Sequence, residues 1–299
     1  MVDILMATYN GDKYIAEQIN SILNQNYNDW KLYIRDDGSK DNTINIVKEY
    51  IEKYPDKIIL IEDGRRNLGP KLNFGELLKI SKSKYCMFCD QDDVWMEDKV
   101  SLTLNKMIEL EKQYGKDKPI LIHTDLKVVN ERLDVLNKSF WNFMSLDPNR
   151  KTINKLLVEN TITGCTMMIN RKLKEEIKEI PEKCEMHDWW IALVASLIGV
   201  IYTIEKPTIL YRQHQNNQIG ARQNSLVKKI TDTTIDIYDE QAKLLYDLYS
   251  NNMNQKDKAI VKDFIKLRNV SAAKRRYLVC KDGFFANKLL RNVKIVLFI

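Results

Sequence analysis

With 299 residues, 44% of them hydrophobic and 29% charged, the chain can form one large α/β domain with an appendage or two modest domains. Ten glycines and six prolines exclude collagen-like and Pro/Gly-rich disordered sequence, and there is no internal repeat. The formal net charge of +6 is mild; it would suit nucleic acid, anionic lipid or a phosphorylated substrate, but no nucleic-acid-binding motif accompanies it.

Residues 2–7 read as a strand, 14–23 as an amphipathic helix, 31–35 as a strand and 42–54 as a helix. Strand 58–61, helix 72–80 and strand 85–89 continue the alternation. A charged helix follows over 98–114, then strands over 119–129 and 164–169. An apolar helix over 188–197 and an extended segment over 200–211 lead into a polar loop, 212–222. The pattern predicts a mostly parallel sheet with helices on both faces, whose ligands bind beyond the carboxyl ends of the strands. Past residue 222 turn signals are few and helical periodicity dominates. The expected organisation is an α/β domain over 1–222 and a helical region over 223–299.

The opening residues lack a basic segment followed by a long apolar one, so no signal peptide is expected. No apolar run reaches the roughly 18–20 residues that span a bilayer. A cytoplasmic location is the expectation. Cysteines at 86, 89, 165, 184 and 280 are odd in number and unlike a disulfide framework. Cys86 and Cys89 match C-x-x-C, but no second pair completes a zinc site, and both read as strand residues.

Three polar clusters follow the expected strands: Ala7-Thr8-Tyr9-Asn10-Gly11, Asp36-Asp37-Gly38-Ser39 and Asp90-Gln91-Asp92-Asp93. Carboxylates gathered at neighbouring strand ends repel unless a cation or donors lie between them. Hard oxygen ligands favour Mg²⁺ or Mn²⁺ over zinc, and a metal with open positions is a common way to hold a diphosphate. No glycine-rich phosphate loop of either common type occurs. The same aspartates and serine also suit a turn and a helix cap.

In this order, the three clusters resemble family-2 inverting glycosyltransferases of the GT-A fold. The wording Asp90-Gln91-Asp92-Asp93-Val94-Trp95 is most similar to a bacterial branch containing rhamnosyltransferases of cell-wall and surface polysaccharides. The resemblance covers about residues 1–222. It implies that Thr8 and Tyr9 lie against the nucleotide base, with Asp36 or Asp37 bonded to base or ribose. Asn67, in Asn67-Leu68-Gly69, would stand beside the nucleotide. Asp90 and Asp92 would form the DxD motif, with Asp92 the direct metal ligand, and Asp93 would contact the donor sugar or cap the next segment.

In His187-Asp188-Trp189-Trp190 the resemblance aligns Asp188 with the general base, although the family commonly has Glu where His187 stands. Asp188 also suits an N-cap, and Trp189 suits either a sugar or helix packing. Arg212 and His214 suit a phosphate clamp and a metal or diphosphate contact. Asp125, at a polar strand end, could reach the acceptor, and His123 reads as a strand residue. Thr163-Gly164-Cys165 resembles the family's acceptor-side segment, where glycine would allow close approach.

Residues 284–299 are apolar with interspersed Lys and Arg. They suit the surface of an anionic membrane, or packing against the catalytic domain or a second copy in a homodimer. The expected activity is sugar transfer from a nucleoside-diphosphate donor, dTDP-rhamnose first, to a glycan or lipid-linked acceptor, with a divalent metal. A sugar nucleotidyltransferase or a non-catalytic nucleotide-sugar-binding protein is the alternative.

Overall fold

A computed structural model describes residues 1–177, 179–214, 232–287 and 292. The first half runs β1 (Val2–Thr8), α1 (Ile15–Leu23), β2 (Trp30–Asp36), α2 (Thr43–Lys53), β3 (Ile58–Ile61), α3 (Gly69–Ile80) and β4 (Tyr85–Cys89). Then come β5 (Val94–Trp95), α4 (Lys99–Tyr114), β6 (Ile120–Val129), β7 (Val135–Asn137), α5 (Phe140–Met144) and α6 (Ile153–Leu156). A 3-10 turn (Gly164–Thr166) precedes β8 (Met168–Asn170), α7 (Arg171–Glu176), α8 (His187–Ile198) and β9 (Val200–Arg212). Three more helices follow: α9 (Asp232–Tyr249), α10 (Gln255–Lys266) and α11 (Ala272–Asp282).

One sheet carries the strands in the order β3-β2-β1-β4-β8-β6-β9-β5, with β7 beside β6. Strands β1 to β4 are mutually parallel. Short β8 lies antiparallel between β4 and β6, so β6 and its parallel partner β9 run with β1. The sheet is therefore mostly parallel, with β5, β7 and β8 opposed.

Alternation along the strands explains why both faces need cover. On β1, Leu5 enters one apolar cluster while Ile4 and Met6 enter the other. Helices α1, α2 and α4 cover the second face through Ile15, Ile19, Val47, Val100, Leu104 and Met107. Helices α3 and α8 cover the first through Phe74, Leu77, Trp190 and Leu193. Full burial of each such aliphatic or aromatic side chain is worth about 1.5–3 kcal/mol.

Helices α9 to α11 join the α8 side: Leu245, Tyr249, Val261, Leu278 and Phe284 belong to the same buried cluster as Trp190. At the end of α11, Gly283 takes φ +68°, a conformation natural to glycine. Its carbonyl accepts from Lys155 Nζ at 2.7 Å, and the Asp282 carbonyl accepts from Asn154 at 2.8 Å, tying the end of α11 to α6. The expected boundary near 222 and most of the expected membrane-facing segment lie outside the described residues. No helix among the described residues is long and apolar enough to cross a membrane.

Two local readings change. The strand expected over 164–169 is a 3-10 turn followed by a short strand, because the backbone bends to bring Gly164 to Asp188. Cys86 and Cys89 face opposite sides of β4, as their three-residue spacing in a strand requires, and both are buried free thiols.

Candidate active site

The first two expected clusters meet at the carboxyl ends of β1 and β2, where the parallel register sets Thr8 opposite Asp36. Asp36 is occupied by its own turn. Its Oδ1 accepts from the Gly38 and Ser39 amides at 2.9 and 2.7 Å, and Oδ2 accepts from the Thr8 and Ser39 hydroxyls at 2.9 and 2.5 Å. Asp37 accepts from the Leu68 and Gly69 amides, both at 2.8 Å, fixing the entry to α3. Asn67 takes φ +57° at this corner, and its amide donates to the Asp37 carbonyl.

Tyr9 stands exposed at the rim, while its backbone is gripped by Gln91: the Tyr9 amide donates to Oε1, and Nε2 donates to the Tyr9 carbonyl, both at 2.9 Å. Gly11 leaves room for that side chain, since a β-carbon there would come within 2.3 Å of Gln91 Oε1 and displace its amide. Gln91 thus ties the first cluster to the third.

Beneath the Asp36–Asp37 turn lies Arg35, fully buried. It donates from Nε and Nη2 to Asp63 at 3.0 and 2.9 Å, from Nη1 to Asn73 at 3.0 Å, and its Nη1 lies 3.6 Å from Asp37. The guanidinium holds the Asp63 carboxyl well below the ordinary carboxylate range. A charged residue ending a buried strand was the sequence signal for this hub.

The third cluster differs. Burial, together with Asp92 and Asp188 nearby, pushes the Asp90 carboxyl up to about 7. Asp93 is fully buried and pushed well above the ordinary range by desolvation and by its neighbours Asp92 and Asp90. Its Oδ1 accepts the Arg212 amide at 3.2 Å, whereas Oδ2 has no hydrogen-bond partner. Asp92 Oδ2 lies 2.8 Å from His214 Nε2. Arg212 donates from Nε to the Asp92 carbonyl at 2.8 Å and pairs with Glu17, and both Arg212 and His214 lie on the Tyr14 ring, at 4.7 and 4.8 Å. The antiparallel pairing of β5 with β9 brings the end of β9 back over Asp92 and Asp93.

Buried Lys99, at the start of α4, sits behind this cluster with Nζ 4.7 Å from the Trp95 ring; desolvation lowers its ammonium to about 8. Cys165 is also buried there, and ligand atoms of Asp90, Asp93 and Cys165 all lie within 4.8 Å of one another. Lys99 was not singled out in the sequence, and Gln91 and Cys165 stood there only as members of motifs with no role of their own, because nothing local shows what they meet in space.

Across the strand ends from Asp90 is Asp188, in the first turn of α8. Its carboxylate accepts from the Gly164 amide at 2.9 Å and the Trp189 amide at 2.6 Å. Burial outweighs these donors and lifts its carboxyl to about 7. His187 packs on Phe74 at 4.2 Å and Phe88 at 5.3 Å, with both ring nitrogens buried and without a hydrogen-bond partner; desolvation lowers its pKa to about 3, keeping it neutral. A β-carbon on Gly164 would sit 2.9 Å from His187 Nε2, so this glycine makes room for the imidazole beside Asp188.

The remaining expected residues sit farther into the structure. Trp189 is buried, its indole N–H donates to the Leu156 carbonyl at 2.6 Å, and its ring packs edge-on against Tyr238. Asp125 Oδ1 accepts from the Leu126 and Phe140 amides at 2.8 and 3.1 Å, holding the start of α5. His123 is a buried strand residue, 2.9 Å from the Thr203 hydroxyl.

The chain has counterparts among known proteins. The model of glycosyl transferase family 2 matches residues 3–177. The chain belongs to that family. A dTDP-rhamnosyl transferase of Shigella flexneri, RfbG, is 30% identical to this glycosyltransferase over 72% of the chain and 74% of its own length. A UDP-Glc:alpha-D-GlcNAc-diphosphoundecaprenol beta-1,3-glucosyltransferase of Escherichia coli is 28% identical over 58% of this chain and 61% of its own. Among solved structures, S. aureus TarS in complex with UDP-GlcNAc gives a TM-score of 0.60 at 17% identity, covering 94% of this chain and 80% of that one. The mannosyltransferase of Pyrobaculum calidifontis in complex with GDP-Man and Mn²⁺ gives 0.54 at 14% identity, covering 99% and 87%. The fold of this glycosyltransferase is the GT-A arrangement expected from its motifs.

The third cluster fits a hard divalent cation. Asp90 and Asp92 would offer oxygen ligands and His214 an imidazole, in a place where burial and neighbouring carboxylates push the Asp90 carboxyl up to about 7.

Proposed function

We propose that this glycosyltransferase inverts the anomeric centre of a nucleoside-diphosphate sugar, transferring it to a glycan or lipid-linked acceptor in surface polysaccharide biosynthesis. Rhamnose from dTDP-rhamnose is the leading donor, supported by the 30% identity to the Shigella enzyme. The observation that carries the reading is Asp188: a buried carboxyl held near neutrality across the strand ends from Asp90. A base with that affinity can take a proton at physiological pH, and the ordering of Asp188 by the Gly164 and Trp189 amides fixes its direction.

Asp188 accepts the proton of the acceptor hydroxyl as that oxygen attacks the anomeric carbon. The bond to the diphosphate breaks on the opposite face, giving a single inversion. Asp90 and Asp92, with His214, would hold Mg²⁺ or Mn²⁺, which supplies compensation for the charge of the departing diphosphate. Thr8, Tyr9, Asn67 and the Asp36–Asp37 turn shape the nucleotide end. Arg212 braces the rim through Asp92 and Glu17, with Asp93 beneath it. Gly164, Trp189 and Asp125 belong to the acceptor side, Trp189 and Asp125 by holding its walls. A peripheral position on the inner face of the cell membrane accompanies this reading, supported by the apolar sequence of 284–299 with its interspersed Lys and Arg and by Lys274-Arg275-Arg276 upstream.

A panel of nucleotide sugars scored by Mn²⁺- or Mg²⁺-dependent thermal stabilisation identifies the donor, since preferential binding to the native state raises the melting temperature. Asp188→Asn keeps donor stabilisation and slows transfer by orders of magnitude. Transfer at the native rate by Asp188→Asn, or a retained anomeric configuration in the product, refutes the mechanism. Removal of residues 284–299 shifts the protein from membrane to soluble fractions; unchanged partitioning discards the membrane contact.

A further inference from the structure

Below the rim, the structure holds a donor set that shares Asp90 with the sugar-transfer site and adds Asp93 and Cys165, to which that reading gives no ligand role. Asp90, Asp93 and Cys165 come from the end of β4 and from the 3-10 turn before β8, two segments brought together because β4 and β8 are paired. One ligand atom from each lies within 4.8 Å of the others. Asp93 and Cys165 are buried, while Asp90 is partly exposed and opens the group toward the rim. The buried Asp93 Oδ2 makes no hydrogen bond of ordinary geometry, and the Cys165 thiol lies close to that carboxyl, so a carboxylate oxygen and a sulfur face one another without a strong donor between them.

We propose that Asp90, Asp93 and Cys165 form a second cation site, one layer beneath the rim, selective for thiophilic divalent ions such as Zn²⁺ and Cd²⁺. Two carboxylate oxygens and one thiolate make a three-ligand set of the kind that leaves a fourth tetrahedral position for water. Metal–ligand bonds of this type set neighbouring ligand atoms roughly 3.3–3.8 Å apart, so side-chain shifts of about 1 Å close the cage. The thiolate selects against Mg²⁺, which prefers an all-oxygen octahedron. On binding, the Cys165 thiol proton and the protons held on the Asp90 and Asp93 carboxyls leave to solvent as the metal–sulfur and metal–oxygen bonds form, with no change of oxidation state. Because Asp90 serves both positions, an ion in the deeper one blocks the loading of a metal-bound donor at the rim.

The test is a Cd²⁺ titration of the full chain without donor, in a Cys280→Ser background that removes the exposed thiol. The signal is thiolate-to-cadmium charge-transfer absorption in the ultraviolet. One equivalent of Cd²⁺ saturates it, Cys165→Ser abolishes it, Asp93→Asn weakens Cd²⁺ binding at least tenfold, and Asp92→Asn preserves it. Absence of the absorption, its persistence in Cys165→Ser, or equal loss in Asp92→Asn overturns the proposal. Thermal unfolding verifies that each variant is folded. Should Cys165→Ser fail to fold, Cys165→Ala and Asp93→Asn carry the same titration. In a transfer assay with Mn²⁺, Zn²⁺ inhibits and a chelator reverses it, and the Zn²⁺ concentration for half-inhibition rises at least tenfold in Cys165→Ser whatever that variant's own rate. An unchanged half-inhibition in that variant also overturns the site.

Discussion

The turn after β2 and the turn after β4 are both rich in aspartate, both end a buried parallel strand, and both line the same edge of the sheet. Their electrostatics are opposite. Every oxygen of Asp36 and Asp37 accepts from a neighbouring amide or hydroxyl, and buried Arg35 stands close by. In the second turn, Asp90 and Asp93 are crowded by each other and by Asp92, and Asp93 Oδ2 has nothing to accept from. The first turn is finished by the fold; the second has carboxyl oxygens left to offer a ligand. Carboxylate residues of equal type become scaffold or working group according to the donors the surroundings supply.

The largest expected effect lies on the working side. Asp188→Asn lowers transfer by about 10²–10⁴-fold while leaving donor-induced stabilisation intact, measured by product formation beside thermal shift. The pH profile sharpens this: the base must be deprotonated, so kcat/KM rises with pH through about 7. The sign for stability is the reverse. The folded Asp188 keeps its proton up to about 7, whereas its ordinary value is 3.8. Its contribution to stability is therefore complete below about 4 and lost as pH rises through 7. Denaturant unfolding from pH 4 to 8 shows this decline, and Asp188→Asn flattens it.

On the scaffold side, Arg35→Met costs about 3–5 kcal/mol in denaturant unfolding, because it strips a buried partner from Asp63 and Asn73. Asp37→Ala costs about 2–4 kcal/mol by releasing the Leu68 and Gly69 amides. The smallest effect runs the other way. Asp90→Asn stabilises the metal-free protein by about 1 kcal/mol, as removal of strained functional charge does, while it abolishes metal-dependent donor binding. If Asp90→Asn destabilised as much as Asp37→Ala, the contrast between the two turns would fail.

Much of the architecture was legible in the chain. The alternation of apolar runs with amphipathic stretches over 2–89 matched β1 to β4 and their helices closely, because strand and helix periods are local properties. The helix from 98 and the long strand from 200 were legible for the same reason. Short elements were not: β5, β7, α5, α6 and α7 are each six residues or fewer, too short for a period to show. Nor was the antiparallel insertion of β8, since strand direction is decided by pairing between residues far apart in the chain, Leu121 with Ile169 and Tyr85 with Asn170.

The aspartates of the site were visible as types and spacings, and Arg212 and His214 as suitable chemistry at the end of the last strand. Which carboxylate had partners was not visible. That Asp36 feeds its own turn, that Asp125 holds α5, and that the Trp189 N–H meets the Leu156 carbonyl depend on contacts between distant segments.

By itself, the sequence determined the strand–helix alternation, the placing of acids at strand ends and the family resemblance, because periodicity and motif order are properties of neighbours along the chain. Only the tertiary structure decided that Asp188 stands near neutrality across from Asp90, and that Cys165 reaches Asp93. Desolvation and the presence or absence of a donor are set by what packs nearby in space, and no local pattern encodes them.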